Sequence, residues 1–272
     1  MTPAQNQHPS PAIVVEQLTK TFGNVHAVDH ISFIVHSGEI LAFLGPNGAG
    51  KTTTIKMITT LLQPSSGNII VEGFEVAKEQ DKVRSCFGIV FQDQSLDEEL
   101  TAYENMELHG ILYALPATVR KERIASLLAF VELWERKDEF VKNFSGGMRR
   151  RLEIARSLLH HPRILFLDEP TLGLDPQTRS KFWEYVRKIN AEEKMTVFFT
   201  THYLEEAEKI AQRIAIIDGG KIAALGTVEE LKKKTKTKSL EGAFLHLTGH
   251  ALRDENANAM DRLRQVRKMW KR

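Results

Sequence analysis

The sequence predicts an α/β protein with a mainly parallel core sheet, an antiparallel β subdomain at its N-terminal end and an inserted α-helical subdomain. Three observations carry this. Short apolar runs of strand length alternate with stretches of helical apolar spacing over both the first and the last parts of the chain. That alternation stops at about residues 95–160, where stretches of helical spacing follow one another without strands. A glycine-rich loop joins a strand-like run to a helix-like one at residues 45–52.

Taken in order, residues 1–11 are polar, carry Pro3, Pro9 and Pro11, and lack the basic-then-apolar order of a signal peptide, so they read as a disordered tail. Residues 13–16 and 31–35 read as short β segments, and Ser37-Gly38 as a turn. Residues 39–44 form an apolar run closed by Gly45 and Pro46, the pattern of a buried strand. Residues 52–62 read as a helix broken by Pro64 to Gly67, and residues 68–71 and 88–91 as strands. Helical spacing covers 101–115, 118–134 and 147–160, with Pro116 between the first two. Alternation then returns as strand 164–167, helix 177–191, strand 196–200, helix 203–211 and strand 213–217. A turn at Asp218-Gly219-Gly220 leads into a strand at 221–225. Such alternation implies a parallel sheet covered on both faces.

Composition narrows the classes. The 272 residues carry a net charge of +2, a balance that does not argue for nucleic-acid binding. The single cysteine, Cys86, rules out an internal disulfide and fits a reducing compartment. No apolar run approaches the roughly 20 residues that cross a bilayer.

The chemistry is concentrated in a few motifs. Gly45-Pro46-Asn47-Gly48-Ala49-Gly50-Lys51-Thr52 fits the phosphate-loop pattern G-x-x-x-x-G-K-[ST], which makes the fold class that of the P-loop NTPases. Glycines let the backbone wrap a phosphate with its N–H groups inward, and the following helix, opening through Thr52 and Thr53, aims its N-terminus at the same anion. Lys51 would bridge the β- and γ-phosphates, and the Thr52 hydroxyl would ligate Mg²⁺. Residues 164–169, Ile-Leu-Phe-Leu-Asp-Glu, form an apolar strand ending in two carboxylates. Asp168 is placed to hold Mg²⁺, and Glu169 to act as general base on the attacking water. An apolar strand ending in solvated acids is common by itself; the phosphate loop upstream favours the catalytic reading. Ser145-Gly146-Gly147 opens a helix with unpaired N–H groups and no side-chain obstruction, an anion-binding cap or a plain N-cap serine.

Phosphate loop, then Ser-Gly-Gly, then Leu-Asp-Glu-Pro, in this order, resembles the nucleotide-binding domain of ABC ATPases over roughly residues 13 to 230. The resemblance implies a domain at 12–232 and a C-terminal extension at 233–272. It implies two copies packed head to tail around two ATP molecules, with Ser145, Gly146 and Gly147 completing the site of the other copy. Phe22 stands where the family stacks an aromatic side chain, more often tyrosine, on adenine; stacking survives that change. Gln92 matches the glutamine that contacts Mg²⁺ or the lytic water, and begins the segment facing the membrane partner. Leu172-Gly173-Leu174-Asp175 matches the loop that touches the opposite subunit, and His202 the histidine on the γ-phosphate. The sequence departs from the family at Phe144-Ser145-Gly146-Gly147-Met148, where Leu-Ser-Gly-Gly-Gln is usual. Met148 lacks the hydrogen bonds of a glutamine, which bears on turnover or coupling.

Two uses of the hydrolysis stand open: energising a membrane transporter, or mechanical work on nucleic acid or the ribosome. The chain has neither the long coiled coil of chromosome ATPases nor the second domain of translation-type members, which favours the transporter. The segment from Ser95 to Leu115 and the stretch 239–249 resemble ATP-binding subunits of daunorubicin-resistance-type and oligosaccharide exporters, whose partner is a separate permease. That resemblance places the chain peripherally at the cytoplasmic face of the cell membrane, with ATP and Mg²⁺ as ligands and no nucleic acid. Lys232 to Lys234, with Lys236 and Lys238, read as a solvated helix end, and His160 and His161 as capping or solvated. Leu240, Phe244, Leu245 and Leu247 suit either a partner subunit or the chain's own core, and residues 262–272 read as a basic, frayed end.

Overall fold

The computed structural model describes residues 10–249. The chain opens with two long strands, β1 (Pro11–Phe22) and β2 (Val25–His36), paired antiparallel. β3 (Ile40–Leu44) then enters the molecule's centre, and the glycine loop leads into α1 (Lys51–Ile58). β4 (Ser66–Val71) and β5 (Phe74–Glu75) return to the first sheet, in the order β2-β1-β4-β5. After α2 (Gln80–Cys86) and β6 (Phe87–Val90) comes the helical block: α3 (Ala102–Leu112), α4 (Ala117–Phe130) and α5 (Gly146–Leu158), with short 3-10 turns at Trp134–Arg136 and Val141–Asn143. The alternating part follows as β7 (Ile164–Asp168), α6 (Pro176–Glu193), β8 (Thr196–Thr201), α7 (Leu204–Ile210), β9 (Arg213–Asp218) and β10 (Lys221–Gly226). Helices α8 (Val228–Thr235) and α9 (Leu240–Thr248) close the described chain.

The second sheet has the order β10-β9-β3-β8-β7-β6, parallel throughout except for β10. Its central strands β3, β7 and β8 are buried on both faces, and period two divides their side chains between two cores. Leu41, Phe43, Ile164, Phe166 and Phe198 face α1 and the antiparallel sheet. Ile40, Ala42, Leu44, Leu165, Leu167, Val197 and Phe199 face α6 to α9. On the first side Phe33, Phe43 and Phe198 meet with ring centroids 5.4–6.0 Å apart, joining the two sheets. A third core, centred on Met106, Ile124, Leu128, Val141 and Leu152, belongs to the helical block.

Register decides where function goes. Leu44 lies opposite Thr201, Asp168 opposite Thr200, and Leu167 opposite Val90. The C-terminal ends of β3, β8, β7 and β6 therefore share one sheet edge, each about 4.8 Å from the next. This is the edge at which open α/β sheets bind ligands.

Several expectations are corrected. Pro11, expected in the tail, already pairs with His36, and residues 1–9 lie outside the described residues. The helix expected over 52–62 stops at Ile58, because Thr59 turns its hydroxyl back to Ile55 O and Thr60 takes φ +65°. β5 and α2 were not expected; they are short, and α2 buries only Val83 and Cys86, too few for a period to show. The expected boundary at 232/233 falls inside α8. Beyond it Leu240, Ala243 and Phe244 are fully buried in the α6–α9 core, so the first part of the expected extension is core; Leu245 stays half exposed and Leu247 packs at the core's margin. The basic segment 262–272 lies outside the described residues.

The two histidines before Pro162 differ. His161 is exposed, 3.7 Å from Glu193. His160, read as capping or solvated, is instead stacked on Tyr113, with centroids 3.9 Å apart and its Nε2 2.9 Å from Phe87 O. Burial, assisted by the nearby Arg123 and His161 charges and opposed by the Phe87 carbonyl, pushes its pKa down to about 4, and burial pushes that of neighbouring His109 down to about 3. A folded-state value below the unfolded one means that the stabilisation is complete above about pH 6.5 and is lost as pH falls toward 4. His160→Phe keeps the stack and removes the titration. Its unfolding free energy is expected to decline less steeply than the parent's between pH 6.5 and 4, in chemical denaturation at fixed temperature.

Candidate active site at the strand ends

The glycine loop is shaped by close approaches. Gly50 takes φ +104°, and a Cβ there would lie 2.5 Å from Ala27 O; at Gly45 it would lie 2.3 Å from Ile217 O. Gly48, at φ +80°, has nothing within 4 Å of such a Cβ. The loop thus packs its back on β2 and β9 and leaves its concave backbone for a ligand at the start of α1, a cradle of N–H groups suited to phosphate.

Lys51 begins α1 and is only 5% exposed. Its ammonium donates to Gly45 O at 2.8 Å and Pro46 O at 3.1 Å, and lies 3.0 Å from Glu169 Oε1. Glu169 follows β7 at φ +47°, a left-handed conformation uncommon for this residue type, and its N–H donates to Thr200 Oγ1 at 2.9 Å. The other carboxylate oxygen of Glu169 meets His202 Nδ1 at 2.7 Å. His202 follows β8 and is buried, and its Nε2 has no partner. A buried imidazole nitrogen left open beside a phosphate cradle is what an anion-binding histidine presents.

Asp168 ends β7. Its Oδ1 accepts from the hydroxyls of Thr200 at 2.6 Å and Thr52 at 3.2 Å. Burial pushes its pKa up, with the two hydroxyls pulling the other way. For Glu169 burial also pushes upward, but the His202 hydrogen bond and the Lys51 charge outweigh it and the net shift is downward. Glu169 is therefore held in its ionised form, as a general base must be. The Thr52 hydroxyl and the Asp168 carboxylate, joined at 3.2 Å, offer the few oxygen ligands that Mg²⁺ takes from a protein, the rest coming from phosphate and water.

The sequence-predicted residues divide in two. Gly45 to Thr53, Asp168, Glu169 and His202 converge at the shared edge. Phe22 and Gln92 lie on the surface: Phe22 is half exposed with the Lys20 ammonium 5.2 Å from its ring centre, and Gln92 follows β6 with its side chain exposed. Ser145, Gly146 and Gly147 sit on the helical block. Ser145 Oγ caps α5 by accepting from Met148 N at 3.3 Å, and a Cβ on Gly146 would meet nothing. A Cβ on Gly147 would lie 2.5 Å from Thr178 Cγ2, so α5 and α6 touch there; Asp175 caps α6 by accepting from the N–H groups of Gln177 and Thr178 at 3.0 Å.

Met148 lacks the hydrogen bonds of a glutamine amide but has one polar contact. It points into the helical-block core, and its sulfur accepts from Arg136 Nη1 at 3.3 Å. In Met148→Gln the amide oxygen can replace the sulfur, but the NH₂ is left among apolar neighbours. The variant is expected to lose about 1–2 kcal/mol of stability, read by urea unfolding; an unchanged midpoint would mean the side chain is less enclosed.

Sequence reasoning missed Thr200, which accepts from Glu169 N–H and donates to Asp168, and Glu206. The buried Glu206 carboxylate accepts from Thr201 Oγ1 at 2.9 Å and from Thr171 Oγ1. Threonines in a strand read as β propensity, and an acid on a helix reads as surface; only the register brings them to the site.

Known proteins resemble this chain in sequence and fold. A model of the ABC transporter family matches residues 28–172. The linearmycin resistance ATP-binding protein LnrL of Bacillus subtilis (strain 168) is 45% identical over 216 residues, 79% of this chain and 69% of that protein. The daunorubicin/doxorubicin resistance ATP-binding protein DrrA of Streptomyces peucetius is 44% identical over 227 residues, 84% of this chain and 68% of that one. The dimeric ATP-binding cassette MJ0796, solved in a post-hydrolysis state with ADP and Pi, superposes with a TM-score of 0.72 at 29% identity, over 79% of this chain and 98% of its own.

Proposed function

This chain belongs to the ABC transporter family as an ATP-binding and ATP-hydrolysing subunit, and from that premise we propose how its residues divide the work. Lys51 and the backbone of residues 45–53 hold the phosphates, and Phe22 stacks on adenine. Thr52 and Asp168, with Gln92, are the groups that would hold Mg²⁺. When bound, Mg²⁺ neutralises charge on the β- and γ-phosphate oxygens. Glu169 takes the proton of the attacking water, and His202 meets the γ-phosphate through the Nε2 that its own chain leaves open. The observation that carries this reading is the line Lys51–Glu169–His202, two contacts of 3.0 and 2.7 Å between buried groups from the start of α1 and the ends of β7 and β8.

Ser145, Gly146 and Gly147 act on the ATP of a second copy packed head to tail. They lie on the helical block rather than at the shared strand edge, and so complete a site by meeting another molecule's. The membrane partner is a separate permease. No helix among the described residues is long and apolar enough to cross a membrane. α3 instead exposes Leu108, Ile111 and Leu112, with Leu112 75% exposed, and Leu61 stands out after α1. Positions 108, 111 and 112 share one face of α3, and apolar side chains of this size on one exposed face suit a docking surface, which we assign to the permease. The two resistance proteins among the relatives favour a drug-like small molecule as cargo and export as direction, with the subunit held at the cytoplasmic face.

The test uses the tagged Glu169→Gln chain, with ATP and Mg²⁺, in native membranes solubilised in mild detergent. Co-purification of a polytopic membrane protein is the expected result. Recovery of ribosomes or of DNA-bound proteins instead would overturn the transporter reading.

A further inference from the structure

β6 ends at Val90, and the next residues leave the sheet for the helical block, carrying Gln92. Their backbone is held from α5. Arg150 Nη1 donates to Phe91 O at 2.5 Å, and Nη2 donates to Gln92 O. Glu153 Oε2 accepts from Arg150 Nη1 at 2.8 Å, while its Oε1 accepts from the Ser95 N–H at 2.9 Å. One turn further, Arg156 Nη1 donates to Ser95 O at 2.7 Å. Positions 150, 153 and 156 recur every three residues and fall on one face of the helix that Ser145 caps.

The Arg150 and Glu153 side chains are 6% and 1% exposed. A buried ion pair is weak as a source of stability, because a well-packed apolar pair of similar volume is often as stable or more so. What an apolar pair cannot do is hold carbonyl and N–H groups in a fixed place. Arginine's planar fork matches two successive carbonyls, and the carboxylate orients that fork while holding the loop's other end.

We propose that Arg150 and Glu153 are positioning residues that fasten the Gln92 segment to α5, so that Gln92 and the Ser145 end of that helix move as one body. Gln92 is offered to this chain's own ATP and Ser145 to the partner copy's, so arrival of the partner at Ser145 is transmitted to Gln92 through Arg150 rather than through the sheet. The inference rests on the role proposed above for Gln92.

The test replaces the pair by an apolar one, Arg150→Met with Glu153→Leu, in the full chain. Folding is expected to be kept, with a melting temperature at or above the parent's. Amide exchange over residues 91–98, followed by mass spectrometry, should speed up at least tenfold, while α5 itself stays protected. Maximal phosphate release should fall about 10- to 100-fold, the scale of a small misplacement of a reacting group, with KM for ATP within twofold of the parent. In a Gln92→Ala background the same pair of substitutions should add less than a twofold loss. Unchanged exchange at 91–98, unchanged kcat, or losses that multiply with those of Gln92→Ala would each overturn the proposal. If Gln92→Ala alone leaves kcat intact, the role of Gln92 fails and this inference with it; a slow Gln92→Ala beside an unimpaired apolar pair refutes the clamp alone.

Discussion

Replacing Glu169 by glutamine is expected to slow phosphate release by a factor of about 10² to 10⁴, the usual contribution of a positioned general base, while ATP stays bound. Both carboxylate oxygens are engaged, one 3.0 Å from the Lys51 ammonium and the other 2.7 Å from His202 Nδ1. Glutamine has the same shape and can still accept from either partner, so the phosphate cradle and α1 keep their places. What is lost is the capacity to take a proton. The charge that repels the γ-phosphate is lost too, so retained ATP should hold two copies together, read as dimer mass by light scattering with ATP and Mg²⁺. Turnover within tenfold of the parent would remove Glu169 from the reaction. The pH dependence has a defined sign. The Glu169 pKa is shifted below its ordinary 4.5: burial pushes it up, but His202 and Lys51 outweigh burial. The carboxylate therefore stays charged through the neutral range. Its contribution to stability is present above about pH 4.5 and is lost as pH falls through the lower, folded-state value, an acid-side loss that the glutamine variant should not show.

Lys51→Ala is expected to weaken nucleotide binding by a factor of about 10² to 10⁴, taking two charge-assisted hydrogen bonds to phosphate at about 1.5–3 kcal/mol each. The ammonium is held by Gly45 O, Pro46 O and Glu169, contacts that a bound phosphate competes with. The same substitution leaves the buried Glu169 carboxylate with His202 alone, and so lowers stability as well. The two effects separate in the double variant Lys51→Ala with Glu169→Gln, which carries neither charge. It should recover much of the lost stability in thermal unfolding and none of the lost affinity in calorimetry with ADP. Undiminished ADP binding in either variant would refute the phosphate-loop assignment.

Both predictions concern residues that the sequence already singled out, because their chemistry is local. A phosphate loop needs its glycines, lysine and threonine within eight consecutive positions, and an apolar strand ending in Asp-Glu is legible from five residues of period-free burial. The alternation of strands and helices implied the parallel sheet in the same way, and the helical spacing of 101–160 implied the inserted block. Order within the sheet was not legible. That β8 lies between β3 and β7, and so brings Thr200 to Asp168 and His202 to Glu169, depends on pairings between residues more than thirty positions apart. The fate of the C-terminal part was hidden for a related reason. Leu240 and Phe244 have the same apolar character whether they cover a partner or their own sheet, and only packing against α7 and β10 decides it. His160 was misread because a polar side chain at a helix end carries no sign of what lies across from it, and the contact of the Met148 sulfur with Arg136 was not legible for the same reason. By itself the sequence determined the fold class, the ATP-handling motifs and the chemistry of each reacting group, since these are set by residue type and short spacing. The tertiary structure alone decided which groups meet, where α5 grips the Gln92 segment and how Glu169 stays ionised, since hydrogen bonds and charge–charge interactions depend on distances in space that spacing along the chain does not encode.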